Sequence, residues 1–296
     1  MFSIHRTTGW LFCQMALCCV VAAAPVQPPL PADVPLGNAG RGNWLIITLH
    51  LDDGKELPVM VDTGASGTLI DKSFRSELGK QLGRGTLDHW GHAVATQFYA
   101  MPQLWLGDVP LEMGTNIVTD NLKMVSLVAG RPVRGILGMD CLRNYCVQLD
   151  FDAGKMRFLD PDHLDTTNLG RAYPLGYERN RPVIHHTGLF GGASTNALID
   201  TGMMYDAQVE KVVVHGHFFV QFRNFLIEYV PFARHLHRHF IAPSCVWDGG
   251  TYASLKVDTG VYANILGLRF LARHLVTFDF PHNVMYLKQV TTGPRK

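Results

Sequence analysis

Residues 44–51 alternate apolar and polar side chains well enough to predict a strand with one buried face. Asp52-Asp53-Gly54-Lys55 interrupts them with turn-forming residues, and the apolar run 57–61 predicts the return strand of a hairpin. That hairpin delivers Asp62, followed at once by Thr63-Gly64-Ala65-Ser66-Gly67 and a second apolar run, 68–70. Further on, 73–78 has room for one or two helical turns, 86–98 reads as an exposed hairpin, and 104–111 as a strand and turn. Ile117 and Val118 begin another strand. Gly135-Ile136-Leu137 is an apolar strand stopped by Gly138, with a short helix through Tyr145.

The pattern then returns. Residues 183–186 and 195–199 predict a second hairpin around 188–192, which delivers Asp200-Thr201-Gly202. Residues 212–220 are strand-like, and Asn264-Ile265-Leu266 is a second apolar strand stopped by glycine, Gly267. Residues 138–158 and 267–287 align without a gap: Leu142 meets Leu271, Val147 meets Val276, Asp150-Phe151 meets Asp279-Phe280, and Met156 meets Met285. One architecture used twice accounts for this. The copies divide within 160–171, giving an N-terminal lobe at 43–160 and a C-terminal lobe at 173–290. Two identical loops facing each other require a pseudo-twofold axis.

The chemistry lies in the two loops. Each presents a carboxylate between buried strands, where an unpaired charge is costly unless hydrogen-bonded or shared. Face to face, the loops would form a carboxylate dyad of Asp62 and Asp200. A third Asp-Thr-Gly, at Asp258-Thr259-Gly260, lies only a few residues before Ile265-Leu266-Gly267. Its gap-free partner is Ala129, and no space follows it for intervening strands. Asp258 is therefore expected on the cleft rim, in the loop ahead of the glycine-stopped strand, with its use as the second acid left open.

Composition narrows the classes. The chain has 296 residues, enough for two domains, and a formal net charge of +1, so nothing basic points to nucleic acid. Residues 1–24 read as a secretory signal: Arg6, a mostly apolar stretch at 10–21, then Ala22-Ala23-Ala24. Pro25 directly afterwards leaves the cut site open, and an uncleaved signal would serve as an N-terminal anchor; otherwise no stable membrane span is expected. The compartment is then periplasmic or extracellular. Residues 25–42, rich in Pro, Gly and Ala, read as a linker, with the fold starting near Asn43. Outside the signal, Cys141, Cys146 and Cys245 permit at most one intramolecular disulfide, and Cys141 and Cys146 read as packed thiols. His235, His237 and His239 alternate as strand neighbours do, but with Arg234 and Arg238 between them they read as a polar surface strand, not a metal site. No cofactor or metal is expected. The aromatic stretch 218–232, interrupted by Arg223, Asn224 and Glu228, reads as core.

Asp62-Thr63-Gly64-Ala65-Ser66 after an apolar strand, with Gly135-Ile136-Leu137-Gly138-Met139-Asp140 downstream, resembles the retropepsin-like aspartic proteases, in the form of their two-lobed bacterial relatives. Residues 43–160 carry the resemblance strongly and 173–290 more weakly. It implies an all-β fold of two six-stranded barrel-like lobes with a cleft between them, and catalytic Asp62 and Asp200. It further implies that Thr63 and Thr201 tie the loops together, Gly64 and Gly202 let main-chain amides approach the acids, and Ser66 bonds the Asp62 carboxylate. Trp90 becomes a flap residue over the cleft, 215–217 a counterpart flap, and Asp258 a cleft candidate. The implied activity is peptide-bond hydrolysis by a monomer acting on a peptide or protein. Met203 and Met204 stand where the first loop has Ala65 and Ser66, which leaves open an alternative: a non-catalytic peptide-binding pseudo-protease.

Overall fold

The structure, a computed structural model, describes residues 29–36, 43–89, 92–189, 194–210, 225–229, 236–260 and 264–294. The expected signal, Trp90, the strand-like run 212–220 and the counterpart flap 215–217 lie outside these residues. The described chain is all-β, arranged in three sheets with a few short helices.

The first half builds a nine-stranded sheet. Its hairpin Ile46–His50 and Glu56–Val61 turns through Gly54 at φ +80°, with the Lys55 amide donating to Asp53 Oδ1 at 3.0 Å. The apolar strand Gly135–Leu137 inserts between Glu56–Val61, to which it is parallel, and Leu69–Asp71, to which it is antiparallel. Buried on both sides, it reads as a continuous apolar run. Gln81–His89 and His92–Ala100 form a hairpin longer than the expected 86–98. The helix Lys123–Ala129 was not legible in the pattern: it is short and lacks a side-chain cap. It forms because Leu122 and Val125 cover Ile46, Met60 and Ile136 on the outer face of the sheet.

The second half repeats the arrangement in an eight-stranded sheet. Asn264–Gly267 lies parallel to Ser194–Asp200 and antiparallel to Ala207–Glu210. Next come Gly250–Gly260, Leu236–Trp247 and Phe225–Tyr229. Asp258 corrects an expectation here. It sits not in a rim loop but within the strand Gly250–Gly260, opposite Gln208 and His239, and is 1% exposed. Leu255 and Val257, both buried, extend a strand through 250–260, so its Asp-Thr-Gly is ladder, not turn.

The third sheet joins the halves. In its centre, Cys146–Asp150 pairs antiparallel with His274–Asp279, and Gln148 faces Thr277. These two residues are equivalent in the gap-free alignment, so a twofold exchange of the segments leaves the register unchanged. Outward, Val34 pairs with Met156 on one edge and Tyr173 with Met285 on the other. The Leu36 amide donates to Gly154 O at 2.9 Å and the Leu175 amide to Asn283 O at 2.8 Å. Linker residues 25–42 are thereby corrected: Val34–Pro35 is a strand, and Leu36 is 1% exposed. The signal was present, since Pro35-Leu36-Gly37 repeats as Pro174-Leu175-Gly176. Proline suits an edge strand, where its missing N–H leaves no ladder bond unmade.

One apolar core runs through both halves, from Leu45, Val61, Leu137 and Val147 to Ile199, Leu266, Val276 and Phe278. Cys141 and Cys146 are free and buried within the fold, and burial pushes the Cys146 thiol up to about 12. Among the described residues no helix is long and apolar enough to cross a membrane.

Candidate active site

Two parallel ladders set the positions of the aspartates. Val61 pairs with Leu137, and the Asp62 amide donates to Leu137 O at 3.0 Å; Asp200 pairs with Gly267. Each Asp therefore leaves its sheet at the same point, beside the glycine that ends the inserted strand. Each loop then bends back. The Ala65 amide donates to Asp62 O at 3.2 Å, and the Met203 amide to Asp200 O at 3.4 Å.

The loops meet through their threonines. Thr63 Oγ1 donates to Ile199 O at 2.7 Å, and Thr201 Oγ1 to Val61 O at 2.9 Å. In return the Thr63 amide donates to Thr201 Oγ1 at 3.0 Å, and the Thr201 amide to Thr63 Oγ1 at 3.1 Å. Both threonines are 2% exposed, and every one of these bonds crosses between the halves. Buried main-chain groups demand partners. Here each loop supplies those of the other.

This junction brings Asp62 and Asp200 together. A Cβ placed on Gly64 would lie 2.5 Å from Asp200 Cγ, and one on Gly202 would lie 2.5 Å from Asp62 Cγ. Only glycine leaves space for that approach. Each carboxylate also accepts an amide of its own loop, Gly64 to Asp62 Oδ1 and Gly202 to Asp200 Oδ1, both at 2.8 Å. Burial is the largest influence on the pair and raises both carboxyls. Asp200 beside Asp62 raises the latter further, well above the usual carboxylate range. Losing the second proton would leave two negative charges against each other in a poorly hydrated pocket. The Gly64 and Gly202 amides work in the opposite direction by favouring the ionised forms. The pair thus holds one proton beyond the ordinary range, and that proton belongs to the pair.

The other sequence-predicted residues separate from this centre. Ser66 is exposed, and its carbonyl accepts from Asn180 Nδ2 at 2.8 Å. Asp258 lies within the second sheet, as described above. Trp90 is outside the described residues. Residues that hold the loops went unread: Thr68 Oγ1 donates to Asp140 Oδ1 at 2.7 Å and accepts from the Gly138 amide at 3.1 Å. On the second side Asp206 Oδ2 accepts from Arg269 Nε at 3.1 Å, and the Asp206 carbonyl accepts the Gly267 amide at 3.0 Å. The gap-free alignment does contain the signal, because Asp140 aligns with Arg269, a reversal of charge at equivalent, half-buried places in two short helices, Met139–Leu142 and Leu268–Leu271.

An all-β fold with two Asp-Thr-Gly loops interlocked beneath a carboxylate pair is similar to that of the retropepsin-like aspartyl proteases. Residues 47–141, from the first hairpin through Cys141, match the family described as aspartyl protease. No curated protein matches the chain.

Proposed function

We propose that this chain is an aspartic endopeptidase in which Asp62 and Asp200 together activate a water against a peptide bond. The observation that carries the reading is the mutual contact of each carboxylate with the glycine of the opposite loop. It gives two acids of different protonation at one point, which the reaction requires. The ionised carboxylate takes a proton from water as the oxygen attacks the peptide carbonyl carbon. The protonated partner donates to the carbonyl oxygen, giving a neutral tetrahedral intermediate. Collapse breaks the C–N bond: the leaving nitrogen takes a proton from the pair, a hydroxyl of the intermediate returns its proton to the pair as the carbonyl re-forms, and the singly protonated starting state returns. The substrate is a peptide or protein, and the chain acts as a monomer, since both halves of the dyad come from one polypeptide. The apolar stretch near the N-terminus supports export to the periplasm or the cell exterior.

The test is cleavage of a mixed peptide pool at acidic and neutral pH by wild type and three variants. Asp62→Asn and Asp200→Asn should each abolish hydrolysis with the fold retained. Asp258→Asn should keep it, because its carboxylate stands in a ladder of the second sheet. Hydrolysis surviving in Asp200→Asn would overturn the assignment.

A second reading, a peptide-binding pseudo-protease, draws on Met203 and Met204, which stand where the first loop has Ala65 and Ser66; Met204 is 36% exposed. A statin-type inhibitor that raises the melting temperature of a chain with no cleavage at any pH would favour it.

A further inference from the structure

The two aspartate loops follow the same path but are fastened differently. In each, the residue after the closing glycine donates to the loop: the Met139 amide to Ala65 O at 2.9 Å, and the Leu268 amide to Met203 O at 2.8 Å. The glycine amide donates further along: Gly138 to Thr68 Oγ1 at 3.1 Å, Gly267 to Asp206 O at 3.0 Å. The glycine amide is thus taken by the Thr68 side chain in the first loop and by the Asp206 main chain in the second, Asp206 lying one position before Ala207, the ladder counterpart of Thr68. The second loop is also one residue longer, since Ile136 pairs with Leu69 but its counterpart Ile265 pairs with Gln208. A longer loop has more conformational freedom to lose and needs more attachment to hold its aspartate in one position.

Asp206 provides that attachment. It is 0% exposed, and every polar atom it has is engaged. Its amide donates to Lys256 O at 2.9 Å, and its Oδ2 accepts from the Lys256 amide at 2.7 Å and from Arg269 Nε at 3.1 Å. Oδ1 accepts from Arg273 Nε at 2.9 Å and lies 2.8 Å from Arg273 Nη2. Arg273, itself 0% exposed, spends its remaining donors on Ala253 O at 2.8 Å, Thr292 O at 2.7 Å and Ser254 O at 3.4 Å. Two arginines on one carboxylate, one of them with both a side-on bond and four carbonyl or carboxylate partners, form a planar, geometrically fixed lock.

We infer that Asp206, with Arg269 and Arg273, is the positioning group of the second aspartate loop, an ion-paired substitute for the Thr68–Asp140 hydrogen bond of the first. None of the three touches the carboxylate pair; they act through the main chain of residues 203–206, which follows Asp200 in the loop and is bonded back to it by the Met203 amide. The catalytic consequence rests on the endopeptidase reading, whereas the structural consequence rests on the loop geometry alone. Where a reacting group is misplaced by about 1 Å, rates fall roughly 100-fold with binding little changed. Releasing the lock should therefore lower kcat and spare KM.

The experiment compares wild type, Arg269→Gln, Asp206→Thr and Asp206→Thr/Arg269→Asp. The double variant transplants the first loop's Thr–Asp pair into the second loop and leaves Arg273 a carboxylate partner. Two quantities are measured on each folded protein: kcat and KM on a cleaved peptide, and the titration of the Asp62/Asp200 carboxyls by carbon-13 NMR. Asp206→Thr should lose about 100-fold in kcat with KM within about threefold, and its carboxyl titration should move back toward the ordinary range. Arg269→Gln, on a partly exposed arm, should show the same change in smaller measure. The double variant should recover kcat to within about tenfold of wild type. If Asp206→Thr does not fold, the double variant and Arg269→Gln decide. Folded single variants with wild-type kcat and titration overturn the inference, as does a folded double variant no better than Asp206→Thr. If wild type cleaves nothing yet the titration still moves in Asp206→Thr, the positioning role stands and the endopeptidase reading fails.

Discussion

Thr63 and Thr201 exchange hydrogen bonds across the two halves, the amide of each donating to the hydroxyl of the other at 3.0 and 3.1 Å. Each hydroxyl then donates onward to a main-chain carbonyl of the opposite strand. A hydroxyl is needed at both positions because each must accept and donate at once, which serine does as well as threonine.

Replacing either threonine by valine keeps the volume and removes both functions. Thr63→Val leaves the Thr201 amide and the Ile199 carbonyl buried without a partner. An orphaned buried group costs about 1–3 kcal/mol, so the loss should be several kcal/mol and should appear as a lowered urea midpoint. Thr63→Ser should retain most of the stability. Equal midpoints for the valine and serine variants would show that the exchange contributes nothing.

Gly64→Ala and Gly202→Ala should fail together and for mirrored reasons. The new methyl of each would overlap the carboxylate of the opposite Asp, at 2.5 Å in either case. The loops must then part, separating the acids. Both variants should lose hydrolysis, and a crystal structure of either should show the carboxylates moved apart. An active alanine variant at either glycine would argue against the close approach.

Much of this site was legible because apolar runs and glycine stops repeat in the chain. Asp62, Asp200 and the closing segments follow directly from that repetition, and the structure brings those residues together. What escaped was local in signal and non-local in cause. Val34–Pro35 looks like linker because proline and short length hide an edge strand; a three-residue repeat, Pro35-Leu36-Gly37 and Pro174-Leu175-Gly176, is its one sequence trace, and its pairing with Met156 and Lys155 defines it. The helix Lys123–Ala129 has no cap and a partly exposed apolar face, and it exists because a sheet needed covering. Asp258 misled in the other direction: the tripeptide that forms a turn twice is, the third time, part of a long strand whose register is set by Leu236–Trp247. The Asp206–Arg273 lock joins residues far apart in sequence, and no periodicity reports it.

The joint between the halves offers a separate test. Gln148 Nε2 donates to Thr277 Oγ1 at 2.9 Å, with Gln148 6% and Thr277 0% exposed. Thr277→Val should destabilise by about 1–3 kcal/mol because the Gln148 amide loses its acceptor in a buried place. Gln148→Leu combined with Thr277→Val should recover most of that, since both polar partners are then gone. A double-mutant cycle read by chemical unfolding measures the coupling. An additive result would mean that the two side chains do not depend on each other.

The dyad should also write its signature on stability, independently of any substrate. In the unfolded chain both acids ionise near the ordinary carboxylate value, about 3.9. In the folded chain burial and the neighbouring acid hold one proton well above it. Between those two values the folded state binds more protons than the unfolded state, so stability falls as pH rises. The pair's contribution is fully present below the unfolded value and is lost as pH passes through the raised one. Each unit of displacement corresponds to about 1.4 kcal/mol. Asp62→Asn removes one of the two charges, so its melting temperature should decline less across the same range. Wild type and variant should differ least at acidic pH and most near neutrality, where the variant should be the more stable. Calorimetry at intervals from about pH 4 to about pH 8 spans the window in which a carboxyl raised by burial and a like charge titrates. Parallel curves for the two proteins would mean that Asp62 and Asp200 do not share a proton, and the dyad would lose its physical basis.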